Sequence, residues 1–266
     1  MKKLDAKKII IIIVAVLVII GIIALVMKNS NKQEKANEEE TTKIEEITTN
    51  YIKSLKLGNT NQYLGANLLF TDNKITYDDL STADILGTAF RYVTSDENYV
   101  LDTDLNLSVL SSGYDINDYV AIVSGENIRN AIKTLFGKDW DNKEFINYGT
   151  GSYYNYTYNE NLDCYFQSFN GNYDLIDFQN IKSIYTKTIS TTKNKNEAKI
   201  KIAVAYVENL ENAKVFYSDE DNKEELYKSE EDEDTIREDY IDKLSTYTIT
   251  YKIDGDNYYF DSIEKN

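Results

Sequence analysis

Residues 197–209, EAKIKIAVAYVEN, place Ile200, Ile202, Val204 and Tyr206 at every second position, with Lys199, Lys201, Ala203 and Ala205 between them. A period of two turns successive side chains to opposite faces, so the segment predicts a β-strand with one face on an apolar core. Its β-branched and aromatic residues suit a pleated, half-covered surface. Upstream, Lys193-Asn194-Lys195-Asn196 separates it from a second strand-like run, Ile181–Thr192. Two such runs joined by a short polar link read as an antiparallel hairpin.

The same signal recurs on either side. Thr246–Ile253 and Tyr258–Ile263 flank the turn dipeptide Asp254-Gly255. Tyr154, Tyr156 and Tyr158 alternate with Asn155 and Thr157, and Cys164–Phe169 leads into Asn170-Gly171. Residues 141–266 therefore predict a meandering antiparallel sheet. Within it, residues 219–239 hold 12 acidic and 3 basic side chains. Such a charge run reads as a solvated, mobile insertion, ending in a short helix near Ile236–Leu244.

Residues 41–140 follow a helical period instead. Ile44, Ile47, Tyr51, Ile52 and Leu55 share one face of a helix that stops at Gly58. Ser81 caps a second helix, Ser81–Val93, whose apolar face carries Ile85, Leu86, Ala89, Phe90 and Val93. Ser124 caps a third, lined by Ile128, Ala131, Ile132, Leu135 and Phe136 and closed by Gly137. Leu105–Leu110 and Tyr119–Val123 read as strands between them. The expected fold class is α+β, helix-rich first and sheet-rich second.

Ahead of this domain, Ile9–Met27 is 19 residues without a charge or strong polar group. A helix of that length spans about 28 Å, close to the ~30 Å hydrocarbon core of a bilayer, so the run predicts a transmembrane helix. It is too long for the core of a cleavable signal and ends in Ala24-Leu25-Val26-Met27-Lys28 without a small-residue cleavage site. The single cysteine, Cys164, lies too far downstream for lipoprotein attachment. Four lysines (Lys2, Lys3, Lys7, Lys8) against Asp5 precede the run, which orients residues 1–8 as a cytoplasmic tail and sends the rest outside. Residues 28–40, KNSNKQEKANEEE, contain one small apolar residue and read as a tether.

Composition excludes several functions. Net charge is −16 over the whole chain, which repels nucleic-acid phosphates. Histidine is absent and cysteine occurs once, removing Ser-His-Asp and Cys-His catalysis, His-ligated metal sites, zinc clusters and internal disulfides. Cys164, in a strand beside aromatics, reads as a packed thiol. Asp102, Asp104 and Asn106 open like a calcium-binding EF-hand loop, but Leu107 and Gly113 stand where that loop needs its glycine and its glutamate. The run Glu230–Asp234 is the other place where calcium is conceivable, and charge repulsion is its default reading. No cofactor is expected. Proline is also absent while Lys, Asn, Ile and Tyr abound; the enriched residues have AT-rich codons, which points to a low-GC genome.

The positive functional signal is the 23 tyrosines. Tyr154, Tyr156 and Tyr158 are the candidate ligand-binding residues, as a ladder offering stacking faces and hydroxyls to a glycan or peptide. Trp140, after Gly137-Lys138-Asp139, reads as a core plug beneath the third helix. At Leu135-Phe136-Gly137-Lys138-Asp139-Trp140, and again over Tyr251–Lys265 (YKIDGDNYYFDSIEK), the chain resembles uncharacterised single-pass membrane-anchored proteins of low-GC Gram-positive bacteria. That resemblance implies source and topology, and no activity. The expectation is a membrane-anchored extracytoplasmic binding or scaffolding domain, with the bilayer and an envelope protein or wall polymer as partners. The alternatives are an envelope hydrolase with a carboxylate pair and an accessory subunit of a membrane complex.

Overall fold

In chain order the computed structural model contains β1 (Glu34–Lys35), α1 (Glu38–Lys53), β2 (Ile75–Thr76), α2 (Thr82–Thr94), β3 (Tyr119–Ser124), α3 (Gly125–Phe136), β4 (Ile146–Asn147), β5 (Tyr154–Asn159) and β6 (Cys164–Phe169). There follow β7 (Ser183–Lys193), β8 (Glu197–Leu210), β9 (Ala213–Tyr217), β10 (Glu225–Ser229), β11 (Ser245–Asp254) and β12 (Asn257–Lys265). Residues 33–53, 72–94, 119–143, 146–147, 154–169, 183–210, 213–218, 224–229 and 235–266 are described. The class is α+β, and every strand pairing among the described residues is antiparallel.

The strands form two sheets. The larger runs β1-β7-β8-β11-β12-β2, and the smaller runs β3-β6-β5-β4. Strand β8 is the spine of the larger sheet. Its near half pairs with β11, from Glu197↔Lys252 to Val204↔Ser245, and its far half with β9, from Tyr206↔Tyr217 to Leu210↔Ala213. Strand β7 covers the opposite edge through a turn in which the Asn194 side chain accepts from the N–H groups of Asn196 and Glu197. The β11–β12 hairpin turns at Gly255-Asp256, with Gly255 at φ +60°.

Ile200, Ile202, Val204 and Tyr206 of β8 pack with Ile44 and Ile52 of α1, Leu86 and Phe90 of α2, and Ile128 and Ile132 of α3. Val123, Tyr156 and Tyr165 of the smaller sheet enter the same core. Alternation thus identified the helix-facing side of β8. The other side is also buried, because Ala203, Ala205 and Val207 pack with Phe216, Tyr227, Ile236 and Leu244. Two alanines leave room for the rings of Phe216 and Tyr227, stacked 4.4 Å apart.

The helices are punctuated locally. Ser81 and Asp84 exchange side-chain and backbone hydrogen bonds at the start of α2. Ser124 accepts from the Asn127 N–H at the start of α3, and Gly137 ends it in the left-handed region. At α1 the structure departs from the expected tether. Glu34 and Lys35 pair with Lys193 and Thr192, Ala36 is buried, and α1 already begins at Glu38. The cause is a capping box: the Glu40 N–H donates to the Asn37 side chain, and the Asn37 N–H to Glu40. Three acids in the first turn suit the positive end of the helix dipole.

The acidic insertion, expected as a solvated loop, is in part ordered structure. Glu225–Ser229 is strand β10, paired with β9, and Ile236 is buried. Residues Glu238–Lys243 form the short 3-10 helix expected near Ile236–Leu244. Lys187 fastens this segment by donating to the Ile236 carbonyl at 3.1 Å and pairing with Glu238. The Arg237 guanidinium lies over the rings of Tyr227 and Tyr240. Gly58, Leu105–Leu110, Asn170-Gly171 and the Ile9–Met27 run lie outside the described residues. Among the described residues no helix is long and apolar enough to cross a membrane.

Replacing Ile236 with Ala should cost about 2–5 kcal/mol in urea unfolding, the range for a truncated core isoleucine. A change within about 0.5 kcal/mol would show that this end of the insertion is a solvated loop after all.

Candidate functional site

The C-terminal end of α3 meets the β11–β12 hairpin at an aromatic joint. Tyr51 stacks on Phe260 with ring centroids 4.7 Å apart, and Phe136 meets both rings edge-on at 6.2 Å. Tyr77 lies 5.2 Å from Phe136. Beneath them Thr48 donates to the Ile44 carbonyl, leaving its oxygen to accept from the Tyr251 hydroxyl at 2.9 Å. Burial raises the phenol pKa of both Tyr51 and Tyr251, so both hydroxyls stay neutral.

Gly137 closes α3 at φ +65°, and the Tyr259 ring lies across it. A Cβ there would stand 2.8 Å from ring carbons, so only glycine permits both the helix stop and this close approach. Residues 135–140 and the C-terminal hairpin, far apart in the chain, are therefore one structural unit.

Tyr259 lines two clefts. The smaller, about 320 Å³, is lined by Tyr51, Tyr92, Tyr251, Tyr258 and Tyr259, with Asn50, Thr134, Asn257, Lys133 and Asp256 among its polar groups. Tyr51 and Tyr251 make its buried floor, while Tyr92 and Tyr259 are half-buried. The larger, about 700 Å³, lies between Tyr77, Phe136, Phe260 and Tyr259 and the β7–β8 turn at Asn194 and Asn196. Lys252 pairs there with Asp261, and Lys138 lies 5.2 Å from the Tyr77 ring centroid. Both volumes fall in the range of small-ligand sites, and aromatic walls with a few polar groups are the usual lining.

The tyrosine ladder of β5 has another role. Tyr156 turns inward against Phe90, 4.9 Å between centroids, and is 1% exposed. Tyr158 is half-buried and donates to Asp163 at 2.7 Å. Tyr154 begins β5, and its side chain lies outside the described residues. Tyr156 and Tyr158 point into the protein because the face they share is the core face of the smaller sheet. Trp140 packs at the core margin and donates to the Tyr165 hydroxyl at 3.0 Å. Cys164 is buried, as expected of a packed thiol.

Asp163 closes the β5–β6 turn in the left-handed region, at φ +47°. Arg129 grips its carboxylate with two N–H donors at 3.0 and 2.7 Å, and its carbonyl accepts from the Gly125 N–H. Gly125 has no room for a side chain, since a Cβ would collide with the Asp163 carboxylate. The Arg129 bond, then that from Tyr158, hold the Asp163 carboxyl down at about 2. Burial, helped by Asp163, pushes the Tyr158 phenol up to about 12. The cluster ties α3 to the smaller sheet.

Glu40, Asp79, Asp139 and Asp239 are likewise held below the ordinary carboxylate range by hydrogen-bonding partners, first among them Lys193, Thr76, Lys133 and Arg237 respectively. Those shifts mark ion-pair and capping partners; a general acid at neutral pH needs the opposite one. Among the described residues no three acidic or cysteine side chains come together as metal ligands. Asp102, Asp104, Asn106 and Glu230–Asp234 lie outside them. The chain matches no protein-family model, no curated protein and no solved structure.

Two substitutions test this geometry. Gly137→Ala should cost more than about 1 kcal/mol and displace Tyr259, read by thermal denaturation and by tyrosine side-chain NMR; unchanged stability would contradict the close approach. For Asp163, the folded pKa lies below the ordinary 3.8, so its stabilisation is present above that value and disappears as pH falls through about 2. Asp163→Asn keeps a residue that tolerates the left-handed turn. It should lower the urea midpoint at neutral pH and converge with the parent near pH 2; a constant difference across that window would mean the carboxylate charge is not what holds the turn.

Proposed function

We propose that the chain is a membrane-anchored extracytoplasmic binding domain, held by a transmembrane helix at Ile9–Met27, which captures an envelope component in the tyrosine-lined recess. The supporting observation is the convergence of Tyr51, Tyr92, Tyr251, Tyr258 and Tyr259 on one cleft of about 320 Å³. Of these rings Tyr92 and Tyr259 are half-buried and can stack on a ligand over the buried floor, while the neighbouring amides select orientation.

The anchor and outward orientation rest on the apolar run and the lysines before it. A low-GC Gram-positive source belongs to the same reading, as does a wall polymer or neighbouring envelope protein as the captured component. An acidic exterior keeps the domain soluble and away from anionic headgroups.

Protease added to intact cells should remove the domain, whereas a domain that survives shaving and is digested only after lysis has the opposite orientation. The full chain in detergent should co-sediment with purified wall material or retain one component of solubilised membranes. Tyr92→Ala, at the half-buried wall of the recess, should weaken that retention about tenfold; full retention would remove the recess from the account.

A further inference from the structure

Tyr259 lines both clefts, so the small and large cavities meet at one aromatic residue, whose ring rests on Gly137. Two cavities that meet at an aromatic ring are the shape of a site for a chain of repeated units, each cavity taking part of the chain. The lining narrows the chemistry. Uncharged hydrogen-bonding groups recur on both sides of the ring: Asn50, Thr134 and Asn257 in the small cleft, Thr76, Asn194 and Asn196 in the large one. The half-buried rings of Tyr77, Tyr92 and Tyr259 supply apolar surface beside them, and sugar rings present both an apolar C–H face and hydroxyls.

Charge excludes anionic chains. Asp78, Glu197, Asp254 and Asp261 line the large cleft against Lys138 and Lys252, and Lys252 is paired with Asp261. The chain as a whole carries −16. A phosphate- or uronate-bearing polymer would meet repulsion there.

Building on the binding-domain reading, we propose that the two clefts form one extended site for a neutral linear glycan, which crosses Tyr259 as a stacking platform. Gly137 sets the height of that platform, since the ring lies across a position without a side chain. One cleft engages the first sugars of a chain, and affinity grows as further units reach the other side of the ring.

The test uses the full-length protein in detergent and β-1,4-linked N-acetylglucosamine oligomers from dimer to hexamer, titrated by calorimetry. Affinity should rise with length and level off once both clefts are filled. Tyr259→Ala should lose about tenfold for the long oligomers, and Tyr259→Phe, which keeps the ring, should stay within about threefold. Asn196→Ala, on the far side, should weaken the hexamer and leave the dimer unchanged; thermal denaturation confirms that each variant is folded. Affinity independent of length, a Phe variant as weak as the Ala variant, or preference for a basic peptide over every oligomer overturns the proposal. If no oligomer binds but Tyr92→Ala still abolishes retention of envelope material, the glycan assignment alone falls. If that retention is also unaffected, the recess as a binding site falls with it.

Discussion

Ile202–Val207 of β8 are buried on both faces at once. A strand in that position cannot tolerate polar side chains on either side, and its backbone must find partners along both edges. The second requirement is met by β7 on one edge and by β11 and β9 in succession on the other. The first is met by three helices on one face and by the ends of the acidic insertion on the other. Each fully buried Val or Ile contributes roughly 1.5–3 kcal/mol, so this short segment anchors both layers.

Position of the candidate site follows from that arrangement. Strand β11 is held against β8, β12 against β11, and the end of α3 against β12. The aromatic joint of Tyr51, Phe136 and Phe260 then seats α1 and α3 on the hairpin and leaves Tyr259 between two clefts. Polar fastenings complete the frame. Arg129 and Asp163 tie α3 to the smaller sheet, and Glu40 with Lys193 ties the start of α1 to β7. The second pair lowers the Glu40 pKa and raises that of Lys193, as expected of opposite charges in hydrogen-bonded contact.

Much of this fold is legible in the chain because its signals are local. The caps at Ser124 and Gly137 fix α3 by residue type, and alternation locates β8, β11 and β12 nearly to their ends. Charge concealed the rest. Asn37 and Glu40 form a capping box inside a stretch that reads as tether, and the N-x-x-E spacing was its available signal. Leu226, Tyr227 and Ile236 are few apolar residues among acids, so their burial against Ala203 and Ala205 has no periodic trace. Period two located β5 but did not say which face of it meets the core, so the burial of Tyr156 against Phe90 was not legible from it. The recess draws on residues near 50, 92, 134 and 258, and such a long-range convergence leaves no motif.

Amide hydrogen exchange on the full-length protein, with and without purified wall material, tests most directly whether the frame built on β8 presents the proposed site around Tyr259. The account predicts that Ile202–Val207 exchange slowest in both states, and that added protection appears at Leu135–Lys138 and Asn257–Tyr259. Protection gained elsewhere, with those two segments unchanged, would contradict it.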